Sequence, residues 1–164
     1  MASGDTLCVF TPLGAEFPAA NYATLDTLNN HPVLDFDETI GETAYFTDIM
    51  PQHYSNATGV TVFIHHAATS AVTGTIGWLI AFERMGDGGT DLDADSFAAS
   101  QTVTAETVDA AAGVMDVASV AVTAGANMDS VVAGDTFRVS LTRDVAVDTA
   151  AGDAELIAIE IRET

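Results

Sequence analysis

The sequence contains no lysine, and four arginines stand against 24 aspartates and glutamates. The resulting formal net charge is −20 at pH 7. A surface this acidic repels nucleic-acid backbones and anionic lipid headgroups. A phosphate-binding Gly-x-x-x-x-Gly-Lys loop is excluded as well, because that loop requires a lysine. We therefore expect no nucleic-acid partner and no membrane partner.

Cysteine is nearly absent, and long apolar runs are absent altogether. Cys8 is the only cysteine, which excludes an internal disulfide and a cysteine-based zinc cluster. It lies in an apolar run, so we predict that it is a small buried side chain. No apolar stretch approaches the roughly 18–20 residues that span a bilayer. The first residues have no cationic region and no long apolar segment, so we expect no secretory signal.

The composition is nevertheless sufficient for one folded domain. A length of 164 residues with 48% hydrophobic and 17% charged residues is typical of a single globular domain and excludes disorder over most of the chain. Pro12, Gly14 and Pro18 break the N-terminal segment after one short apolar run. We predict that residues 1–30 form a strand or arm, which either reaches over a sheet or is a first strand with a surface loop. Residues 31–164 then form the main β-domain.

Apolar residues alternate with polar ones in short runs separated by turn-forming residues. In one such run Val60, Val62 and Ile64 share a face. This period of two, rich in β-branched and aromatic residues, predicts strands and an all-β sandwich or barrel. We favour an antiparallel sandwich of about eight strands, with at most one or two short helical turns, at Ala105–Gly113 and Asn127–Ala133. The predicted strands cover 7–11, 32–36, 43–50, 58–66, 76–82, 100–108, 114–123, 137–141 and 157–161.

One loop carries carboxylates at every second position, at Asp91, Asp93 and Asp95. In an extended segment these side chains share a face, where they could converge on a calcium ion. The pattern is an incomplete match to a calcium loop, because Ser96 and Phe97 follow where glycine and glutamate are needed. The alternative is a solvated acidic loop. Calcium at this loop is the one cofactor that the sequence suggests.

No group of residues indicates a catalytic centre. Neighbouring strand residues point to opposite faces, so His65 and His66 do not chelate one metal. The sequence has no Gly-x-Ser-x-Gly nucleophile turn. Glycoside hydrolysis uses a pair of carboxylates, but a chain with 24 acids offers many such pairs, so their presence does not indicate this activity. Tyr45 and Tyr54 are candidates for the partly exposed aromatic residues of a glycan-binding face. We expect a binding or assembly protein and not an enzyme.

The four arginines must nearly all be paired with carboxylates. Arg84, Arg138 and Arg143 lie near strand ends, where a bidentate ion pair fixes either a corner of the chain or a subunit boundary. Both alternatives are open for these residues.

Several short segments are distinctive in their order along the chain. They are 22–37, 42–46, 50–54, 82–84, 91–98, 128–135, 137–144 and 152–156. From Tyr22-Ala-Thr-Leu-Asp to Gly152-Asp-Ala-Glu-Leu, this order resembles the small structural β-sandwich proteins of tailed bacteriophages and prophages. The resemblance covers the chain from about residue 5 to its end, and its motifs are structural rather than catalytic.

The resemblance implies a jelly-roll domain over 31–164 and a capsid decoration, or cement, protein that stabilises the head shell. The expected location is the outer surface of the capsid, and the expected partners are the major capsid protein and two further copies in a homotrimer. Leu7, Val9 and Phe10 would then grip the shell or a neighbouring copy. The alternative function is a receptor- or glycan-binding β-sandwich module of a tail or head fibre.

Overall fold

Short alternating runs of β-branched and aromatic residues form ten strands in the computed structural model, which describes residues 4–164. Residues 1–3, the start of the predicted N-terminal segment, lie outside the described residues. The strands are β1 (Thr6–Phe10), β2 (Thr24–Leu28), β3 (His31–Phe36), β4 (Thr43–Ile49), β5 (Gly59–Ala68), β6 (Thr75–Met85), β7 (Gln101–Thr107), β8 (Met115–Thr123), β9 (Thr136–Arg143) and β10 (Ala154–Glu163).

The strands form two sheets, and every pairing between strands is antiparallel. The six-stranded sheet has the order β2-β3-β10-β5-β8, with β1 also paired to β10. The four-stranded sheet has the order β4-β9-β6-β7. The predicted all-β, antiparallel two-sheet architecture is confirmed.

The inner faces of the two sheets enclose one hydrophobic core. Along β9, Phe137, Val139 and Leu141 are buried while their neighbours are partly exposed, as the alternation predicts. Trp78 on β6 packs edge-on against Phe36 on β3, with ring centroids 5.0 Å apart. This contact crosses from one sheet to the other and joins them at the centre of the sandwich.

The N-terminal segment is part of the core. β1 pairs with the C-terminal half of β10, from Thr6 opposite Arg162 to Phe10 opposite Ile159. The Phe10 ring lies 5.5 Å from Phe46 and 6.3 Å from Phe137, centroid to centroid. The prediction that Phe10 grips a neighbouring surface is therefore wrong, because its side chain is enclosed by its own sandwich.

Cys8 is buried, as its apolar surroundings predict. Burial raises the pKa of its thiol to about 12, and the nearby Asp48 carboxylate contributes in the same direction. The thiol therefore stays protonated at neutral pH and packs as a small apolar group.

The two predicted helical turns have different outcomes. Over Ala105–Gly113 the chain continues β7 to Thr107 and then turns, so no helix forms there. Over Asn127–Ala133 there is one 3₁₀ turn, at Ala126–Met128, which ends at Asp129 with a φ of 51°. A second 3₁₀ turn, at Pro12–Gly14, was not predicted. Over residues 4–164 no helix has the length and apolar character needed to cross a membrane.

Candidate functional site

The segment between β1 and β2 adds an extra edge beside β4. Glu16 and Tyr45 exchange backbone hydrogen bonds, with N···O distances of 2.8 and 2.9 Å. Farther along, the Thr43 N–H donates to the carbonyl of Asn21 over 2.9 Å. Asn21 has a φ of 52°, a left-handed conformation that asparagine adopts more readily than most residues. These contacts hold a turn over residues 17–20 at the edge of the four-stranded sheet.

Phe17 and Tyr22 flank this turn and form an exposed aromatic pair. Their ring centroids are 5.9 Å apart and their planes are tilted by 55°. Phe17 is 46% exposed and Tyr22 is 49% exposed. Two adjoining rings left half in water form an apolar patch of the kind that marks binding surfaces.

A second aromatic pair lies on the outer face of the same sheet. The Tyr45 and Phe97 rings are stacked, with centroids 5.0 Å apart and an interplanar angle of 29°. The Arg138 guanidinium lies 5.2 Å from each ring centroid. Its Nε donates to Glu83 Oε2 over 2.5 Å, and this hydrogen bond raises the pKa of the arginine above its ordinary value.

The sheet register places Tyr45, Thr47 and Arg138 on the outer face of the four-stranded sheet, and the Phe17–Tyr22 pair lies on the segment that bridges to the edge of this sheet at Tyr45 and Thr43. Residues directly opposite each other in an antiparallel pair point to the same face, so Glu16 lies beside Tyr45. Two residues along β4, Thr47 lies opposite Arg138 and faces the same way. We call the surface formed by Phe17, Tyr22, Tyr45, Phe97 and Arg138 the aromatic face.

The aromatic face combines exposed rings with hydrogen-bonding groups around them. The exposed residues Glu16, Asn21 and Thr47 border the rings. Ring faces contact apolar C–H groups, while carboxylate, amide and hydroxyl groups bind ligand hydroxyls. The charge of Arg138 is already paired with Glu83. The arrangement therefore suits an uncharged ligand that has both apolar faces and hydroxyl groups.

The predicted aromatic residues have separate outcomes. Tyr45 contributes to the aromatic face. Tyr54 is only 3% exposed, with its hydroxyl 3.5 Å from Met128 Sδ, so its prediction as an exposed aromatic is wrong. The sequence analysis did not identify Phe17 and Tyr22. The local signal was an aromatic residue at each end of a short turn that contains proline and asparagine.

The predicted calcium loop does not assemble a metal site. The chain turns at residues 92–94 instead of staying extended, and the Asp93 N–H donates to Asp91 Oδ1 over 3.1 Å. Asp95 Oδ1 accepts from the Ser96 N–H over 3.0 Å. Across residues 4–164 there is no group of three or more His, Cys, Asp or Glu side chains placed to hold a metal ion. The prediction that Asp91, Asp93 and Asp95 share one face is wrong, because side chains in a turn do not alternate between two faces as they do in a strand.

The arginines predicted for a subunit boundary have partners within the chain. Arg143 is 1% exposed; its Nε donates to Asp148 Oδ2 over 2.5 Å, and its Nη1 donates to the Phe36 carbonyl over 2.7 Å. Arg143 is therefore an internal corner residue, and its assignment to an interface is wrong. Arg84 pairs with Asp135, with an Nε···Oδ2 distance of 2.5 Å.

The remaining interface candidates differ in exposure. Leu7 is half-buried, whereas Val9 points away from the core and is 57% exposed. Arg84 and Arg138 keep 38% and 30% of their side chains exposed despite their ion pairs. A role for these four residues in contacts between chains stays a prediction.

Two surface clefts have linings that include none of the residues that define the aromatic face. One, of about 310 Å³, is bordered by Met85, Asp87, Thr90 and Thr136. The other, of about 290 Å³, lies where β1 ends and β3 begins and is bordered by Pro12, Leu13, His31, Pro32 and Ile157. Neither lining includes the two facing carboxylates that glycoside hydrolysis uses.

Comparison with known proteins identifies the fold. Neither a protein-family model nor a curated protein matches the sequence. Among solved structures, the chain is similar to a CBM35 from Cellvibrio japonicus Abf62, with 14% identity, a TM-score of 0.53 and coverage of 94% of this chain and 91% of that one. It is also similar to Xyl-CBM35, which was solved in complex with a glucuronic acid containing disaccharide (14% identity, TM-score 0.53, coverage 93% and 91%).

A third similar structure is a family 35 carbohydrate binding module from an environmental isolate, with 10% identity, a TM-score of 0.52 and coverage of 94% and 92%. These likenesses show that the chain has the jelly-roll β-sandwich fold of such modules. The fold class that the sequence predicted is therefore confirmed. Identity this low shows the fold alone.

Proposed function

We propose that this chain is a carbohydrate-binding β-sandwich and that the aromatic face is its binding surface. The observation that carries the proposal is the half-exposed Phe17–Tyr22 pair, held beside β4 by backbone hydrogen bonds. A pyranose ring presents an apolar C–H face that packs on such rings, and its hydroxyls bind the polar groups around them. The jelly-roll fold shared with carbohydrate-binding modules supports the same function.

The proposed ligand class is an uncharged glycan. The chain carries a net charge of −20, which repels anionic ligands over distances comparable to the Debye length. In the aromatic face, Arg138 is paired with Glu83, and Glu16 adds a further negative charge. A neutral oligosaccharide avoids this repulsion and uses both the rings and the hydrogen-bonding groups.

Binding, and not turnover, is the activity that this surface supports. The aromatic face has two carboxylates beside it: Glu16 is exposed, whereas Glu83 is ion-paired with Arg138, 4% exposed and therefore inaccessible to a substrate. The modules whose fold the chain shares are binding domains by their names. We propose that the chain is not an enzyme.

Affinity measurements on a pair of aromatic variants test the proposal. A panel of neutral gluco-, xylo- and manno-hexasaccharides would first be screened on an array with the wild-type chain. We expect at least one to bind, and we expect Phe17→Ala and Tyr22→Ala each to weaken that binding about five- to thirtyfold, because a stacked ring contributes about 1–2 kcal/mol. Val72→Ala, at an exposed position in the turn between β5 and β6, is the matched control and should bind like the wild type. Absence of binding across the panel, or equal binding by all four proteins, would contradict the proposal.

A second candidate function is the capsid decoration protein that the resemblance implies. A specific observation favours it: β8 is an edge strand of the six-stranded sheet and carries exposed apolar residues. Met115 and Val117 on this strand are 52% and 40% exposed, and Val114, which directly precedes it, is 40% exposed. An exposed apolar edge is an aggregation hazard that a closed oligomer removes.

Under this second proposal the chain forms a homotrimer on the outer surface of a phage capsid and contacts the major capsid protein. Glycan binding and virion attachment use different surfaces in this account. The aromatic face belongs to the four-stranded sheet, whereas the apolar edge belongs to β8 in the other sheet. One chain can therefore carry both functions.

A further inference from the structure

Two carboxylates face each other on the outer surface of the six-stranded sheet. Asp35 on β3 and Glu155 on β10 are directly opposite in the antiparallel register. Their chain neighbours Leu34, Ala154 and Leu156 point into the core, so the two carboxylates point to the outer face together. Side chains at such positions have Cβ atoms roughly 5 Å apart, and like charges there are destabilising.

Each of these carboxylates has an oxygen without a partner. Glu155 is 4% exposed. Its Oε2 atom and Asp35 Oδ1 are both inaccessible to solvent and have no hydrogen-bond partner. Glu155 Oε1 lies 3.0 Å from the Thr69 hydroxyl, which also lies 2.8 Å from the Asp153 carbonyl. A hydroxyl has one proton to donate, so Thr69 does not fully satisfy even this oxygen.

The protein supplies no cation for the pair. Lysine is absent from the chain, and all four arginines are bound to other carboxylates, at Asp135, Glu83, Asp148 and Glu160. The charged groups that act on Asp35 are all acidic: Glu155 and Asp153 on the β10 side, Asp26 on β2, and Glu42. Burial and then these neighbours raise the pKa of Asp35 to about 7.

We propose that a hard divalent cation, such as Ca²⁺, binds between the carboxylates of Asp35 and Glu155. Carboxylate oxygens are the ligands that such cations prefer, and a bound cation would compensate the two buried oxygens that have no partner. Two carboxylates are fewer ligands than Ca²⁺ needs. Asp35 as a whole is only half-buried, so water reaches the ion from the side of this residue and completes the coordination shell. The site is therefore of the weak type, with dissociation constants of about 0.1–1 mM.

Thermal unfolding of the full chain with added metal tests this proposal. Measurements are made at pH 8, in 10 mM CaCl₂, in 10 mM MgCl₂ and in NaCl of equal ionic strength. Ligand linkage at roughly tenfold excess over Kd predicts that CaCl₂ raises the wild-type Tm by about 4 °C above the NaCl value. Calorimetric titration with CaCl₂ alone should give one site per chain.

Two isosteric variants and one matched control locate the cation. Asp35→Asn and Glu155→Gln should each abolish the calcium shift, while their Tm in NaCl should equal or exceed that of the wild type because the repulsion is removed. The double variant Asp91→Asn/Asp93→Asn removes two acids from the loop at 91–95, one more than either single variant, and should keep the full shift. The proposal fails if the wild type shows no calcium-specific shift, or if the shift survives in Asp35→Asn and Glu155→Gln. If the wild type shows no calcium-specific shift and both variants are more stable than the wild type, then Asp35 and Glu155 share a proton and do not bind a metal ion.

Discussion

At the scale of single residues, one glutamate joins the first strand of the chain to the last. Glu160 Oε1 accepts a hydrogen bond from the Thr6 hydroxyl over 2.5 Å, and Oε2 accepts one from Arg162 over 2.7 Å. Arg162 and Thr6, with His65 contributing less, lower the pKa of Glu160 to about 2. The ionised carboxylate therefore stabilises the folded chain.

The stability contributed by Glu160 should depend on pH in a defined direction. Its folded-state pKa lies below the ordinary value of 4.5, so the contribution is fully present above about pH 4.5 and is lost as the pH falls toward 2. We expect Glu160→Gln to lower the free energy of unfolding by about 1 kcal/mol at pH 7, since the pair is partly solvated. At pH 3 less than half of that difference should remain. Urea unfolding at both pH values measures it, with Asp93→Asn as a control at an exposed acid; a difference that is constant with pH would contradict this assignment.

The numbers of arginines and acids predict that the arginines form ion pairs, but they do not predict which acids are the partners. Four arginines among 24 acids must be paired, and each of them is. The partners are not predictable, because Arg84 and Asp135, or Arg138 and Glu83, are brought together only by the pairing of β6 with β9.

At the scale of elements, β1 is the strand for which the structure decides between two alternatives. The sequence left open whether it is an arm or a first strand, and the structure places it in the sheet beside β10. Neighbouring residues of this strand differ sharply. Phe10 is 7% exposed and packs on Phe46, whereas Val9 is 57% exposed.

Two truncations in β1 should therefore have very different effects. Phe10→Ala removes a ring from the core and should lower the free energy of unfolding by about 3–4 kcal/mol. Val9→Ala, one residue away on the outer face, should change it by less than about 0.5 kcal/mol. Denaturant unfolding of both variants gives the comparison. Equal, small effects would mean that β1 is a detachable arm after all.

Elements without a buried face were the ones that the sequence did not reveal. β2 has no fully buried residue and so lacks the apolar alternation that marks the other strands. The Phe17–Tyr22 pair was missed for a related reason. Its two rings meet because the segment is fixed to β4 by contacts distant in sequence, at Tyr45 and Thr43.

At the scale of the whole molecule, the composition predicts the exposed surface area and the sign of the net charge. Area scaling for a chain of 17.0 kDa gives roughly 7,700 Å² of exposed surface, and the folded chain exposes 7580 Å². The sign of the charge also follows from composition. Its distribution does not, because β3 and β10 must pair before Asp35 and Glu155 face each other.

Oligomeric state tests the capsid-decoration proposal at this scale. If the exposed apolar edge of β8 mediates assembly, light scattering at micromolar concentration should give about three times the chain mass of 17.0 kDa. Met115→Asp should shift the chain to a monomer, whereas Val72→Asp, at an equally exposed apolar position in a turn, should not. A wild-type monomer at these concentrations would contradict the trimer and leave glycan binding unaffected.

The most direct test of the central claim is an NMR titration that follows the aromatic side chains. The isotope-labelled chain is titrated with the neutral hexasaccharide that gives the strongest array signal. The account predicts that the ring resonances of Phe17 and Tyr22 shift in a saturable way, while those of the buried Tyr54 stay unchanged. Saturable shifts confined to another surface, with Phe17 and Tyr22 unmoved, would contradict it.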